Sequence, residues 1–157
     1  MGFSIRRSRS ALAVSLLALP LFVQSQTPAV QQLPTMELSV DIHRIEAEVV
    51  YTLPTRMRGL MGRKSMAAMH GMLFVFESPA GKQCMWMRNT LLPLSVAFID
   101  ESGKVINVED MEPQTDTNHC SAAPAKFALE MNYGWFRQRG IGAGARIGGI
   151  ERAPAAR

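Results

Sequence analysis

A chain of 157 residues, 47% hydrophobic and 19% charged, is long enough for one domain with a real core and too apolar for a disordered segment. Its formal charge of +4 points to a polyanionic partner only until the charges are placed. Arg6, Arg7 and Arg9 sit at the head of an apolar run, and the rest of the chain carries 14 basic against 13 acidic residues with no basic stripe, so a nucleic-acid partner has no electrostatic basis.

The basic stretch 6–9, the apolar run 11–23 and the small or neutral residues Val23, Gln24 and Ser25 follow the order of a secretory signal. Cleavage is expected before Gln26, which makes residues 1–25 a signal peptide. The apolar run falls short of the roughly 18–20 residues that span a bilayer, so no stable membrane span is expected after cleavage. A periplasmic or secreted protein follows. Residues 26–35, rich in Gln, Pro and Thr, read as a linker.

Met36, Leu38, Val40 and Ile42 alternate with polar residues, and Ile45, Ala47 and Val49 do so again, which predicts two half-buried strands. Residues 52–61 change period: Pro54 suits a helix start, and Met57, Leu60 and Met61 share a helical face. Strand signals return at 71–76, 83–88 and 94–100, then at 105–111 beyond a turn at 101–104, and at 126–131. Residues 133–139 predict one or two helical turns stopped by Gly140, residues 146–150 close the domain, and the tail 152–157 is expected to be loose. The pattern is mostly β (α+β): a small barrel-like β sandwich of about seven or eight short strands with two short helices.

In an exported chain an isolated cysteine pair, Cys84 and Cys120, is a disulfide candidate. The alternative is soft-metal chemistry, with Cys84, Met85, Met87, His119 and Cys120 as a Cu(I) ligand set; ten of the 11 methionines lie beyond the leader. Methionine is also an ordinary core filler, and no cofactor is otherwise indicated.

The densest segment is 84–94. On a strand Cys84, Trp86 and Arg88 point one way and Met85 and Met87 the other. It reads in two ways. Trp86, Arg88, Asn89 and Thr90 form a platform for a polar or cyclic ligand, or Trp86 closes the barrel with Arg88 paired to Asp110 or Glu112. Asp110 and Glu112, two apart at a strand end, either do acid–base work with Arg88 as electrostatic stabiliser or make ordinary salt bridges. The glycines of 140–145 lack a following βαβ unit and read as turn residues rather than a dinucleotide loop. His43 and His70 carry no ligand spacing, and no hydrolase elbow, Cys-x-x-Cys, zinc-protease motif or P-loop is present.

Several ordered motifs, Arg58-Gly59-Leu60-Met61, residues 71–76, Trp86-Met87-Arg88-Asn89-Thr90, Pro93-Leu94, Phe98-Ile99-Asp100 with Gly103, Ala128-Leu129-Glu130, Gly134-Trp135 and Gly140-Ile141, together resemble the DUF192 family over residues 36–151. The resemblance implies a small barrel-like β fold, often exported, with no settled activity. Where the family usually has Trp-Met-Lys-Asn-Thr, this chain has Arg88, which keeps the charge and changes the hydrogen-bond geometry. The cysteine pair belongs to some members only, which fits a staple better than a shared function.

The reading that follows is a periplasmic binding or accessory module. Its polar cleft would be lined by Trp86, Arg88, Asn89 and Thr90, with Arg58, Asp110 and Glu112 nearby. A small polar ligand, a saccharide or anion, or a protein partner would occupy it. A copper chaperone and a hydrolase using the carboxylate pair stand as alternatives.

Overall fold

Alternation in the first apolar stretch does produce strands, but it breaks earlier than the pattern suggests. In the computed structural model, which describes residues 1–2, 32–77 and 81–157, β1 (Thr35–Val40) and β2 (His43–Val50) form an antiparallel hairpin. Asp41 takes the left-handed conformation at φ 50°, which Asp tolerates better than most residues, and turns the chain. Ile42, which continues the alternation, lies in that turn and is 91% exposed. Residues 3–25 of the expected leader and 26–31 of the expected linker lie outside the described residues. The strands and turns belong to the unit Gln32–Arg157.

From β2 the chain crosses through helix α1 (Leu53–Arg58) and a turn to β3 (His70–Val75), which pairs with β2 in parallel. β4 (Cys84–Met85) follows, then β5 (Leu94–Ile99), β6 (Val105–Met111), β7 (His119–Cys120) and β8 (Phe127–Asn132). The main sheet has the order β1-β2-β3-β8-β5-β6, antiparallel except at β2–β3, and β4 and β7 form a separate two-stranded ribbon. The three central strands are buried on both faces, which is why they read as near-continuous apolar runs.

The eight strands make a β sandwich whose main sheet does not close into a barrel. Residues 144–148 run between its two edges instead. Ser39 and Gly148 exchange backbone hydrogen bonds of 3.0 and 2.7 Å, Ile147 N–H donates to Gly103 and Val105 N–H to Ala145. The expected second helix is the three-residue 3₁₀ turn Arg137–Arg139, ended by Gly140 at φ 66°; Ile150–Arg152 forms another.

The end of the tail is not loose. Arg157 N–H donates to Tyr51 O at 2.8 Å, its carbonyl accepts from Leu53 N–H, and its guanidinium lies 5.1 Å from the Tyr51 ring centroid. It supplies partners for backbone groups at the start of α1 that a short helix leaves unpaired.

Strand alternation sorts the core into two faces. On one, Leu73, Val75, Ala97, Leu129 and Met131 pack under Trp135, Phe136 and the C-terminal segment. On the other, Met72, Phe74, Val96, Phe98 and Ala128 pack beneath Leu60, which follows α1, and Met87, which follows β4. The second face carries the cleft.

Candidate functional site

Two walls stand on this second face, each held by its own local chemistry. The first is α1 and the turn after it. Thr52 caps the helix with a reciprocal capping box to Thr55, and Pro54 fixes the first turn. Gly59 ends it at φ 45°, where an added Cβ would lie 3.1 Å from the Phe74 ring. Arg56 fastens the helix to the sheet: its Nη1 donates to Tyr51 O (2.8 Å) and Val75 O (3.1 Å), and its Nη2 lies 3.5 Å from Glu77.

The second wall is the β4–β7 ribbon. Cys84 and Cys120 lie opposite each other, Cα atoms 4.0 Å apart, and are joined as a disulfide. Gln83 N–H donates to Ser121 Oγ, and Ser121 N–H to Gln83 O. Asn107 on β6 fastens the ribbon from below, donating to Cys120 O and accepting from Ala122 N–H. A Gly62 N–H to Asn89 O bond of 2.9 Å ties the two walls together.

Between the walls lies a cleft of about 600 Å³. Thioethers and aromatic rings dominate its apolar lining (Met57, Met61, Met85, Phe74, Phe76 and Trp86), and Arg56, Arg58, Glu77, Gln83 and Asn118 also border it. Trp86, Met57 and Leu53 are exposed at its mouth. At the floor is Glu130 on β8, between Met72 of β3 and Val96 of β5. Glu130 is 3% exposed and makes no hydrogen bond or ion pair among the described residues. Burial alone pushes its carboxyl up to about 8. Thr90, also buried, opens on the same cleft, and its hydroxyl has no hydrogen-bond partner among the described residues.

Of the residues singled out from the sequence, the structure brings Arg58, Trp86 and Thr90 to this cleft, with Cys84 and Met85 in its wall. Four others lie elsewhere. Arg88 is exposed, donates to Asp116 at 2.8 Å and stacks on Trp86 at 4.8 Å; its partner is neither Asp110 nor Glu112. Asn89 adopts φ 57° and works through its backbone carbonyl in the turn. Asp110 pairs with Ser95 on β5, and that side of the strand faces away from the cleft. It accepts from Ser95 Oγ and Arg137, while Ser95 Oγ also accepts from Gly134 N–H, so it pins the turn after β8. Glu112 is exposed beyond the end of β6.

The Cu(I) set does not assemble. Both thiols are consumed in the disulfide, Met87 is fully buried, and only Met85 and His119 remain adjacent, across the ribbon. The cleft is therefore more apolar than expected, and its most distinctive group, Glu130, stands in the sequence only as part of the Ala128-Leu129-Glu130 family motif and not among the candidate site residues. Glu130 could have been flagged as a lone carboxylate within the apolar strand 127–131, because Glu is almost never fully buried without a partner.

The family model for DUF192, described as "Uncharacterized ACR", matches residues 36–149. The chain belongs to the DUF192 family. Among solved structures, it is similar to a protein from Sinorhizobium meliloti 1021 described as a candidate transcription regulator. The two share 31% identity at a TM-score of 0.70, with 76% of this chain and 96% of that one covered. It is also similar to a protein of unknown function from Novosphingobium aromaticivorans DSM 12444. Here identity is 28% and the TM-score 0.71, with 76% and 88% covered. No match was found among curated proteins. No helix among the described residues is long and apolar enough to cross a membrane.

Proposed function

We propose that this DUF192 domain is an exported small-molecule-binding module whose site is the cleft between α1 and the β4–β7 ribbon. One observation carries the reading: Glu130, buried and without a partner among the described residues, opens on a largely apolar cleft big enough for a small organic molecule. An unpaired buried carboxyl is costly to the fold, and such costs concentrate at functional sites. The signal-like leader and the Cys84–Cys120 disulfide both support an oxidising, extracytoplasmic setting.

The ligand is mainly apolar rather than a saccharide or small anion. Arg58, which makes no ion pair among the described residues, is exposed at the mouth, and a charge pair about 4 Å apart in water is worth only ~1 kcal/mol. A charge meeting Glu130 at the floor acts at a lower effective dielectric, where the same pair is worth several times more. Specificity is thus set at the floor.

A second reading has one observation in its favour: a carboxyl near neutral pKa in a cleft suits a general acid. The described lining offers no Ser–His or Cys–His pair beside it, so binding is the stronger reading. The transcription label of the Sinorhizobium neighbour is matched here by no basic face beyond the leader.

A fragment library screened by NMR on protein with carbon-labelled methionine methyls tests the site. Binders are expected to move the signals of Met57, Met61 and Met85 and to leave Met36 and Met69 in place. Binders that act only away from the cleft overturn the assignment. For export, N-terminal sequencing of protein from a periplasmic fraction is expected to find a start near Gln26; full-length cytoplasmic protein with reduced thiols overturns it.

A further inference from the structure

Five carboxylates are paired with arginines: Glu37 with Arg44, Glu48 with Arg63, Glu77 with Arg56, Asp110 with Arg137 and Asp116 with Arg88. Glu130, the carboxylate whose ionisation burial opposes most, has no such partner among the described residues. Its surroundings supply none. Met72 and Phe74 of β3, Val96 and Phe98 of β5 and Ala128 of β8 are apolar. From α1 come Arg56, whose guanidinium is held by Tyr51 O, Val75 O and Glu77, and Arg58, which points to solvent at the mouth. Glu77, beyond β3, also lines the cleft, but it is exposed and faces Arg56 at 3.5 Å, and the ribbon residues that line it do not ionise: Cys84 is in its disulfide, and Gln83, Met85, Trp86 and Asn118 carry no titratable group.

We infer, on the reading of this cleft as a ligand site, that its ligand carries a cationic nitrogen: an alkyl- or aralkylamine whose ammonium meets the Glu130 carboxylate and the Thr90 hydroxyl. An ammonium is a donor only, and both protein groups can accept. The hydrocarbon part of such a molecule lies among Met57, Met85, Phe76 and Trp86, where thioethers and ring faces pack apolar surface and tolerate a nearby positive charge. An anionic ligand of the same size would have to turn its charge toward the Glu130 carboxyl or leave it at the mouth.

The pairing also moves a proton. Glu130 is protonated below about pH 8 in the empty protein, and the ammonium binds its ionised form, so the carboxyl proton is released to solvent on binding. Affinity for an amine therefore rises with pH, by up to about tenfold per unit below that value, and levels off above it.

Octylamine, octanol and octanoate share one chain and differ in the head group. Their affinities are to be measured calorimetrically at about pH 6 and about pH 9, with the labelled methionine methyls reporting whether each enters the cleft. The inference expects octylamine to bind at least about tenfold more tightly than the other two at the higher pH. It expects that advantage and its pH slope to vanish in Glu130→Gln, shown to be folded by its melting transition. Thr90→Val should lose a smaller part of it, and the surface control Arg44→Gln none. Octanol or octanoate entering the cleft as tightly as octylamine overturns the cationic ligand and leaves the cleft as a binding site. Failure of all three to move the cleft methionines overturns the binding site as well.

Discussion

Glu130 is buried among side chains that give its charge nothing, and this has a measurable consequence without any ligand. The native carboxyl holds its proton up to about pH 8, whereas the unfolded chain releases it near 4.5. Between those values the native state binds more protons than the unfolded state, so stability falls as pH rises, by about 1.4 kcal/mol per unit. Below the lower value both states are protonated and the penalty is absent. Glu130→Gln is therefore expected to melt close to the native protein near pH 4. By pH 7 it should be more stable by up to about 3 kcal/mol, as chemical denaturation across that range would show. A variant that gains stability while losing the amine site would match the usual opposition between stability and function. Asp110 predicts the opposite phenotype. Asp110→Ala strands the buried Ser95 hydroxyl and releases Arg137, so it should cost about 1–3 kcal/mol and leave cleft binding of octanol intact; loss of binding without loss of stability would refute the structural role.

At the scale of elements, the ribbon wall depends on the disulfide. A two-stranded ribbon of only two residue pairs is a marginal structure by itself. Closing a loop of 36 residues contributes about 4 kcal/mol in the chain-entropy account. Replacing Cys84 and Cys120 together by serine should lower stability by about 2–4 kcal/mol and weaken whatever the cleft binds, measured by melting and by the same NMR signals. Gly71 does equivalent work inside the sheet. A Cβ there would lie 2.4 Å from Met131 Sδ and 2.7 Å from Glu130 O, so Gly71→Ala should cost about 1–3 kcal/mol by forcing β3 from β8.

These elements also show where the sequence was readable. Strands with a strict period of two, or with unbroken apolar runs, were legible because burial on one or two faces writes itself directly into residue type. Turns held by one residue were less so: Asp41 ends β1 while the alternation runs on through Ile42. The cleft was half legible. Trp86, Thr90 and Arg58 stand close to turns or helix ends that sequence marks, but the face on which Asp110 or Glu130 projects depends on which strands are neighbours. That order, with the last strand placed between β3 and β5, is not written in any local pattern.

The same order governs the whole molecule. Without β8 the main sheet separates into β1-β2-β3 and β5-β6, with no pairing between them. The bridge between its outer edges comes later still, at residues 144–148. A ribosome that has not yet released those residues holds two fragments that cannot share a core. The main sheet can therefore be completed only after β8 has been made, and its outer edges can be joined only after residues 144–148 have followed, so the last residues delivered are the ones that close the fold.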